Sequence, residues 1–87
     1  INPNDAKAHN NLGNAMAEQG KLDEAVVHYQ KALCLNTNNP EAHFNLALAL
    51  VRQHKPQEAI PHLQAALTLK PDYAAARREL ETLAPKQ

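Results

Sequence analysis

The sequence has no serine, no tryptophan, one cysteine, two glycines and only three Phe or Tyr residues among its 87 residues. Without serine there is no serine nucleophile, and two glycines are too few for a glycine-rich phosphate-binding loop. A single cysteine, Cys34, cannot form a disulfide within the chain, which suits a reducing compartment such as the cytoplasm without requiring one. The scarcity of aromatic and β-branched residues disfavours a β-sheet.

An excess of one charge is also missing, because nine Lys and Arg residues balance nine Asp and Glu residues. The chain therefore has no basic field for a nucleic-acid backbone or an anionic membrane. The longest apolar run, Leu46 to Val51, is too short to cross a bilayer. We expect neither nucleic acid nor membrane as a partner.

The chain repeats itself. The stretch AHNNLGNAMAEQGKLDEAVVHYQKAL begins at Ala8, and AHFNLALALVRQHKPQEAIPHLQAAL begins thirty-four residues later, at Ala42. Such a period is typical of a solenoid built from repeated supersecondary units. Within each unit the apolar residues follow helical spacing in two stretches separated by a break, which predicts two helices per unit.

The helix boundaries are predicted from capping residues. Gly20 suits the left-handed residue that ends a helix, and Pro40 suits a first helical turn. The N-cap candidates are Asn4 or Asp5, Asn38 or Asn39, and Asp72. We predict five helices over residues 5–19, 22–36, 39–53, 56–69 and 72–84.

This spacing resembles the tetratricopeptide repeat, a helix-turn-helix unit of about 34 residues. The positions that carry the resemblance are Leu12, Gly13, Ala25, Tyr29 and Ala32 in the first unit, and Leu46, Ala47, Ala59, Leu63, Ala66 and Pro71 in the second. The resemblance implies an all-α, right-handed helical solenoid. Its repeats would span residues 6–39 and 40–73. A C-terminal capping helix and tail would follow over 74–87, and residues 1–5 would be the remnant of a preceding repeat of a longer array.

The sequence departs from the family pattern at a few places. His54 stands where the family has the turn glycine, so a left-handed His54 should cost roughly 1 kcal/mol. Pro61 lies early in the fourth helix, where only about one backbone hydrogen bond need be lost. His9 and His43 stand where the family often has tryptophan, and Thr37 replaces a proline.

In this family the first helix of each repeat lines a concave groove. On the third helix Phe44, Leu48 and Val51 cluster opposite the face that holds Leu46 and Leu50. The equivalent face of the first helix is mostly polar. Its residues are Asn10, Asn14 and Ala17, with Lys7 beside them and Asn11 at the edge.

Two narrower resemblances concern asparagines. Asn11 and Asn45 are similar to the asparagine positions in the repeats of O-linked N-acetylglucosamine transferases, although Glu79 stands at the third step. Asn14 and Asn45 also match the asparagines with which chaperone-binding repeats hold a terminal carboxylate. The basic positions of that clamp hold Asn10, Ala75 and Glu79 instead, so we expect no tight binding of a terminal carboxylate.

No catalytic motif accompanies the repeats, so we expect neither an enzyme nor a cofactor. The five histidines show none of the three- or four-residue spacings of helical metal sites, and we expect no metal. We interpret His9 and His43 as half-buried packing residues and His28 and His62 as solvated ones.

These observations predict a non-catalytic module that binds a peptide or partner segment in its concave groove. The predicted contacts are Lys7, Asn10, Asn11, Asn14, Phe44, Asn45, Leu48 and Val51. Other interpretations stay open. The asparagines could be ordinary surface residues, and the apolar trio could be covered by missing repeats or a second copy. The module could also self-assemble through an uncapped N-terminal face, or serve a larger enzyme such as a glycosyltransferase.

Overall fold

A computed structural model describes residues 4–83, and over this range it contains five α-helices and no strand. The helices are α1 Ala6–Glu18, α2 Leu22–Leu35, α3 Pro40–Arg52, α4 Pro56–Leu69 and α5 Ala74–Leu83. The predicted all-α fold is confirmed, and each helix end lies within two residues of its prediction. Residues 1–3 of the predicted remnant of a preceding repeat and residues 84–87 of the predicted C-terminal helix and tail lie outside the described residues.

Two of the predicted caps form as expected. The Asp5 side chain accepts hydrogen bonds from the backbone N–H groups of Lys7 and Ala8. Asn39 accepts from the backbone N–H of Ala42, with Pro40 in the first turn of α3. Each cap satisfies donors that have no partner within the helix.

The prediction of Asp72 as the N-cap of the last helix is wrong. The helix begins at Ala74, and the carbonyl of Tyr73 accepts from the N–H of Arg77, so Tyr73 is the N-cap. Asp72 lies instead in a turn that the Tyr73 N–H closes on the carbonyl of Lys70, 3.0 Å away. Asp72 and Tyr73, which were predicted to lie in the helix, therefore precede it.

The two hairpin turns have the same geometry. Gly20 has a φ of 79° and His54 a φ of 65°, so both predicted left-handed residues are confirmed. In each turn the next N–H reaches back over the helix end, from Lys21 to the carbonyl of Met16 and from Lys55 to that of Leu50. These bonds satisfy carbonyls that the ending helix leaves without a partner.

The helices form two packed layers. Helix α1 packs against α2, α3 packs against α4, and α2 and α3 contact each other, as do α4 and α5. A smaller contact joins α1 to α3. Because α3 has neighbours on several sides, five of its residues are buried, against two in α1. This arrangement is a helical-repeat solenoid.

The core consists mostly of alanine and leucine. Its largest fully buried side chains are Leu46 and Leu63. Fully buried alanines lie around them on four of the helices, namely Ala25, Ala42, Ala47, Ala59, Ala66 and Ala76. Alanine is the best helix former and its small side chain lets helix axes approach closely, so propensity and packing favour the same structure. None of the described helices is long and apolar enough to span a membrane.

Candidate functional site

A cleft of about 370 Å³ lies between α1 and α3, with part of α2 beneath it. Helix α1 supplies Asn14, Ala17 and Glu18, α2 supplies Tyr29, and α3 supplies Asn45, Leu48, Ala49 and Arg52. The α1 and α3 residues recur at helical spacing, so each helix turns one face toward the cleft. Its wall is mixed, with an apolar centre and amide and charged groups around it.

Tyr29 anchors the α1 side of the cleft. Its hydroxyl donates to the side-chain oxygen of Asn14 over 2.6 Å, while the ring is only 2 % exposed. Burial raises the pKa of the Tyr29 hydroxyl, which Glu18 raises further and Arg52 lowers. The hydroxyl therefore stays protonated at neutral pH and keeps donating. Since the bond uses the oxygen of Asn14, its amide nitrogen is left as a donor.

Asn45 has the complementary arrangement. Its amide nitrogen donates across the layer to the side-chain oxygen of Asn10 over a long distance of 3.5 Å. The bond links α3 to α1 and uses a donor of Asn45, which leaves its oxygen as an acceptor. The cleft thus presents a donor at Asn14 and an acceptor at Asn45, the two groups that a peptide unit needs as partners.

One end of the cleft carries one positive and one negative side chain, so their charges balance. Arg52 donates from Nη1 to the backbone carbonyl of Ala17, 3.3 Å away, and so joins α3 to α1. Glu18, on α1, supplies the opposite charge. Leu48 lies one helical turn before Arg52 and supplies half-buried apolar surface.

The structure brings only some of the predicted groove residues together. Asn14, Asn45 and Leu48 line the cleft, and Asn10 adjoins it through its bond to Asn45. Lys7 and Asn11 are exposed on α1 and do not line it.

Two further groove residues, Phe44 and Val51, pack against the core instead of lining the cleft. The Phe44 ring lies 5.0 Å from the ring of Tyr73, centre to centre. Both residues are half-buried, so each keeps some accessible surface. Their contact with a peptide, like that of Lys7 and Asn11, stays a prediction.

Ala17, on the predicted groove face of α1, also lines the cleft, whereas Glu18, Tyr29, Ala49 and Arg52 line it without having been predicted. Helical spacing could have found three of them. Glu18, Ala49 and Arg52 each lie four residues after a predicted groove residue, namely Asn14, Asn45 and Leu48. Tyr29 gave no such signal. It belongs to α2, and only the packing of α2 beneath α1 brings it to the cleft.

The interpretation of His28 and His62 as solvated residues is wrong. Both are half-buried, because each pairs with the histidine nineteen residues earlier. The Nδ1 atoms of His9 and His28 are 3.2 Å apart, as are those of His43 and His62. Among residues 4–83 no group of three or more His, Cys, Asp or Glu side chains could hold a metal.

A second depression, of about 500 Å³, lies between the two hairpin turns. It is lined by Gly20, Lys21, Leu22, Asp23, Glu24, Gln53 and Lys55. Although larger, it is more open to solvent, and most of its side chains are lysines and carboxylates, with Leu22 as the one large apolar residue. The α1–α3 cleft combines apolar surface with amides and is the better candidate for binding.

Comparison with known proteins agrees with this architecture. Residues 13–54 match a family model described as "TPR repeat", and residues 40–73 match one described as "Tetratricopeptide repeat". No curated protein matches the sequence. The comparisons do not show the likeness to the asparagines of glycosyltransferase repeats, and they indicate no catalytic family.

Two solved structures are similar in fold. The crystal structure of MamA has a TM-score of 0.93 at 23 % identity, over 95 % of this chain and 48 % of that one. The first TPR of Spaghetti (RPAP3), bound to the HSP90 peptide SRMEEVD, has a TM-score of 0.88 at 28 % identity, over 95 % of this chain and 66 % of that one. The chain thus spans about half of the first and two thirds of the second. Tetratricopeptide repeats are therefore detected across residues 13–73, and the chain has the all-α helical-repeat fold of that family.

Proposed function

We propose that the chain is a peptide-binding interaction module that holds an extended segment of a partner protein in the α1–α3 cleft. The observation that carries the proposal is the cleft itself, where the amides of Asn14 and Asn45 flank the apolar surface of Leu48. The amides would bond to the peptide backbone, and Leu48 would contact one apolar side chain of the peptide. In this proposal the module is two repeats, 6–39 and 40–73, followed by a capping helix.

The similar TPR structure that contains an HSP90 peptide supports peptide binding as the class of function. The peptide recognised here should differ. Where a terminal-carboxylate clamp needs basic side chains, this chain has Asn10, Ala75 and Glu79. Arg52, the cation that lines the cleft, already donates to a backbone carbonyl of α1, and the carboxylate of Glu18 lines the same cleft. A terminal carboxylate would therefore lack the set of cationic partners that makes the clamp strong. We therefore expect an internal peptide segment and not a free acidic C-terminus.

A displayed library of random peptides tests the proposal. Peptides selected on the chain should lose affinity about 5- to 30-fold with Leu48→Ala or Asn45→Ala, since each change removes about 1–2 kcal/mol of contact. Val27→Ala is the matched control, because Val27 is 48 % exposed on α2 and does not line the cleft. If no peptide is selected, or if the control weakens binding as much as Leu48→Ala, the cleft is not the binding site.

The peptide SRMEEVD provides a sharper negative test. We expect it to bind at least ten times more weakly than a selected internal peptide. Replacing Ala75 and Glu79 by Lys and Arg should restore part of its affinity by supplying the missing cations. Tight binding of SRMEEVD to the unaltered chain would contradict the proposed preference for internal segments.

Self-association through α1 is a second proposal, with narrower support. Only His9 and Gly13 are buried in α1, while Leu12 and Met16 are half-buried. Apolar surface that remains on this helix could pack against α1 of a second copy or against a preceding repeat. Light scattering over a concentration series decides this, and a strict monomer at high concentration rejects it.

A further inference from the structure

The side chains of His43 and His62 meet between α3 and α4 in an end-on arrangement. Their Nδ1 atoms are 3.2 Å apart, the ring centres are 5.4 Å apart, and the ring planes differ by 30°. Because the centre of an imidazole ring lies about 1.15 Å from its nitrogens, two collinear rings at this Nδ1 separation have centres about 5.5 Å apart. Each Nδ1 therefore points directly at the other.

A hydrogen shared between the two rings accounts for this geometry. A tetrahedral ion about 2.0–2.1 Å from each nitrogen would place the ring centres about 5.1–5.3 Å apart, and among residues 4–83 no third His, Cys, Asp or Glu side chain completes such a site. The observed separation of 5.4 Å is that of a nearly straight N–H···N hydrogen bond. Only one hydrogen fits between the two Nδ1 atoms.

The backbone decides which ring holds that hydrogen. The Nε2 of His43 lies 3.1 Å from the carbonyl oxygen of Thr37, and a carbonyl can only accept. His43 therefore carries its hydrogen on Nε2 and, when neutral, has a bare Nδ1. His62 must then donate from its own Nδ1, so the two rings hold opposite tautomers.

We propose that the His43–His62 pair is a proton-sensitive latch that holds α3 to α4 and releases in mild acid. A proton on Nδ1 of His43 would place two hydrogens in the space of one and break the bond. In the unfolded chain both rings accept protons freely. Acid therefore favours the unfolded hairpin, and because α3 forms one wall of the cleft, that wall is lost with it.

The environment of His62 also makes the folded hairpin less stable in acid. Burial lowers the pKa of His62 below its ordinary value of 6.5, and His43 lowers it further. A depressed pKa means that the folded state binds fewer protons than the unfolded state as the pH falls below 6.5. The latch thus contributes its full stability above pH 6.5 and loses it progressively below.

Other charged groups on the surrounding helices are exposed, apart from half-buried Glu79. Glu58 lies one turn before His62, Glu41 pairs with Lys70, and Arg52 bonds to the carbonyl of Ala17. The flanking helices carry Asp23, Glu24 and Lys31 on α2, and Arg77, Arg78, Glu79 and Glu81 on α5. Burial is the larger and His43 the smaller contribution to the lowered pKa of His62, and none of these other groups contributes to it.

Nuclear magnetic resonance of the histidine rings tests the latch directly. At pH 7.5 we expect His43 with its hydrogen on Nε2 and His62 with its hydrogen on Nδ1. On acidification the signal of the Nδ1 hydrogen of His62 should be lost together with the signals of the folded hairpin. The same tautomer on both rings at pH 7.5 would overturn the proposal.

Stability against pH provides the second measurement. Between pH 7.5 and 5.0 the unfolding equilibrium constant of the unaltered chain should rise faster than that of H43N/H62N, by about tenfold per pH unit for each proton the pair excludes. His54→Asn is the control, because His54 is exposed and asparagine tolerates its left-handed backbone. Equal slopes for the unaltered chain and the double variant reject the latch. So does a stabilisation by Zn²⁺ that the double variant loses, since it would mean that the rings bind a metal.

Discussion

The two helical hairpins have the same backbone plan but different packing at equivalent positions. In the first hairpin Gly13 lies against the ring of Tyr29, so closely that an added Cβ would come within 2.5 Å of a ring carbon. In the second hairpin the same positions hold Ala47 and Leu63, both fully buried. Glycine with tyrosine in the first hairpin fills the same space as alanine with leucine in the second. The sizes of the two residues at these positions are therefore linked, and neither can be changed alone without a loss of packing.

The difference between the hairpins also gives the cleft its polarity. Tyr29 is long enough to carry a hydroxyl to Asn14 at the cleft, whereas Leu63 ends within the core. At the position equivalent to Asn14 the second hairpin has Leu48. At this pair of positions the first hairpin therefore supplies an amide and the second an apolar side chain, while Asn45 and Arg52 keep the wall of the second hairpin partly polar.

The largest effect is expected from shortening the second hairpin's central side chain. Leu63→Ala should cost about 2–5 kcal/mol in the free energy of unfolding, because the side chain is fully buried and its removal leaves a cavity. Leu69→Ala is the control at the end of the same helix, where the residue is 38 % exposed, and should cost about 0.5 kcal/mol or less. Urea denaturation followed by circular dichroism measures both. Similar losses in the two variants would mean that Leu63 does not fill the core.

The paired packing of Gly13 and Tyr29 should show as strong coupling. Gly13→Ala should destabilise by about 1–3 kcal/mol despite alanine's better helix propensity, since its Cβ would overlap the buried ring. Adding Tyr29→Leu converts the pair into that of the second hairpin and should recover most of the loss. A double-mutant cycle in urea gives the coupling energy, and independent, additive effects would contradict the account.

The two turns should respond in opposite directions. His54→Gly should stabilise by about 1 kcal/mol, because glycine adopts a positive φ without the steric cost that a side chain incurs. Gly20→Ala should destabilise by a similar amount through strain alone, since nothing lies near the added Cβ. Thermal and urea unfolding check both changes. A loss of stability in His54→Gly would show that the His54 side chain makes a contact that outweighs the strain.

The smallest effect is expected at the hydroxyl of Tyr29. Tyr29→Phe should cost about 0.5–1.5 kcal/mol by removing the bond to Asn14. The pKa of Tyr29 is raised above its ordinary value of 10.0, so the hydrogen bond's contribution persists at neutral pH and is lost as the pH rises above 10.0. Urea unfolding at pH 7 and above pH 10 measures the loss and its dependence on pH. A variant as stable as the unaltered chain at pH 7 would argue against the bond.

The fold could be predicted from the sequence because the residues that favour each helix and turn occur at equivalent positions in both repeats. The spacing of Ala25 and Ala59, and the left-handed residues Gly20 and His54, predicted the hairpins and their turns correctly. The start of α5 was misplaced because Asp72 favours both a cap and a turn. The turn forms instead of the cap, with the Tyr73 N–H bonded to the carbonyl of Lys70, three residues earlier.

The site was harder to predict because it depends on contacts between helices. Periodicity found Asn14, Asn45 and Leu48, which share faces of α1 and α3. It placed Phe44 and Val51 in the same groove, although Phe44 contacts the ring of Tyr73, beyond the repeat's own helices. The histidine pairs were missed for the same reason, since nineteen residues separate partners that only the packing of adjacent helices brings together.

The position of a bound peptide is the most direct test of the proposed binding in the α1–α3 cleft. Isotope-labelled protein titrated with a library-selected peptide should show the largest chemical-shift changes at the side-chain amides of Asn14 and Asn45 and at the methyl groups of Leu48. Val27 and Leu69, exposed on α2 and α4, should be unaffected. Changes centred on Val27 and Leu69, with the cleft residues unmoved, would contradict the account.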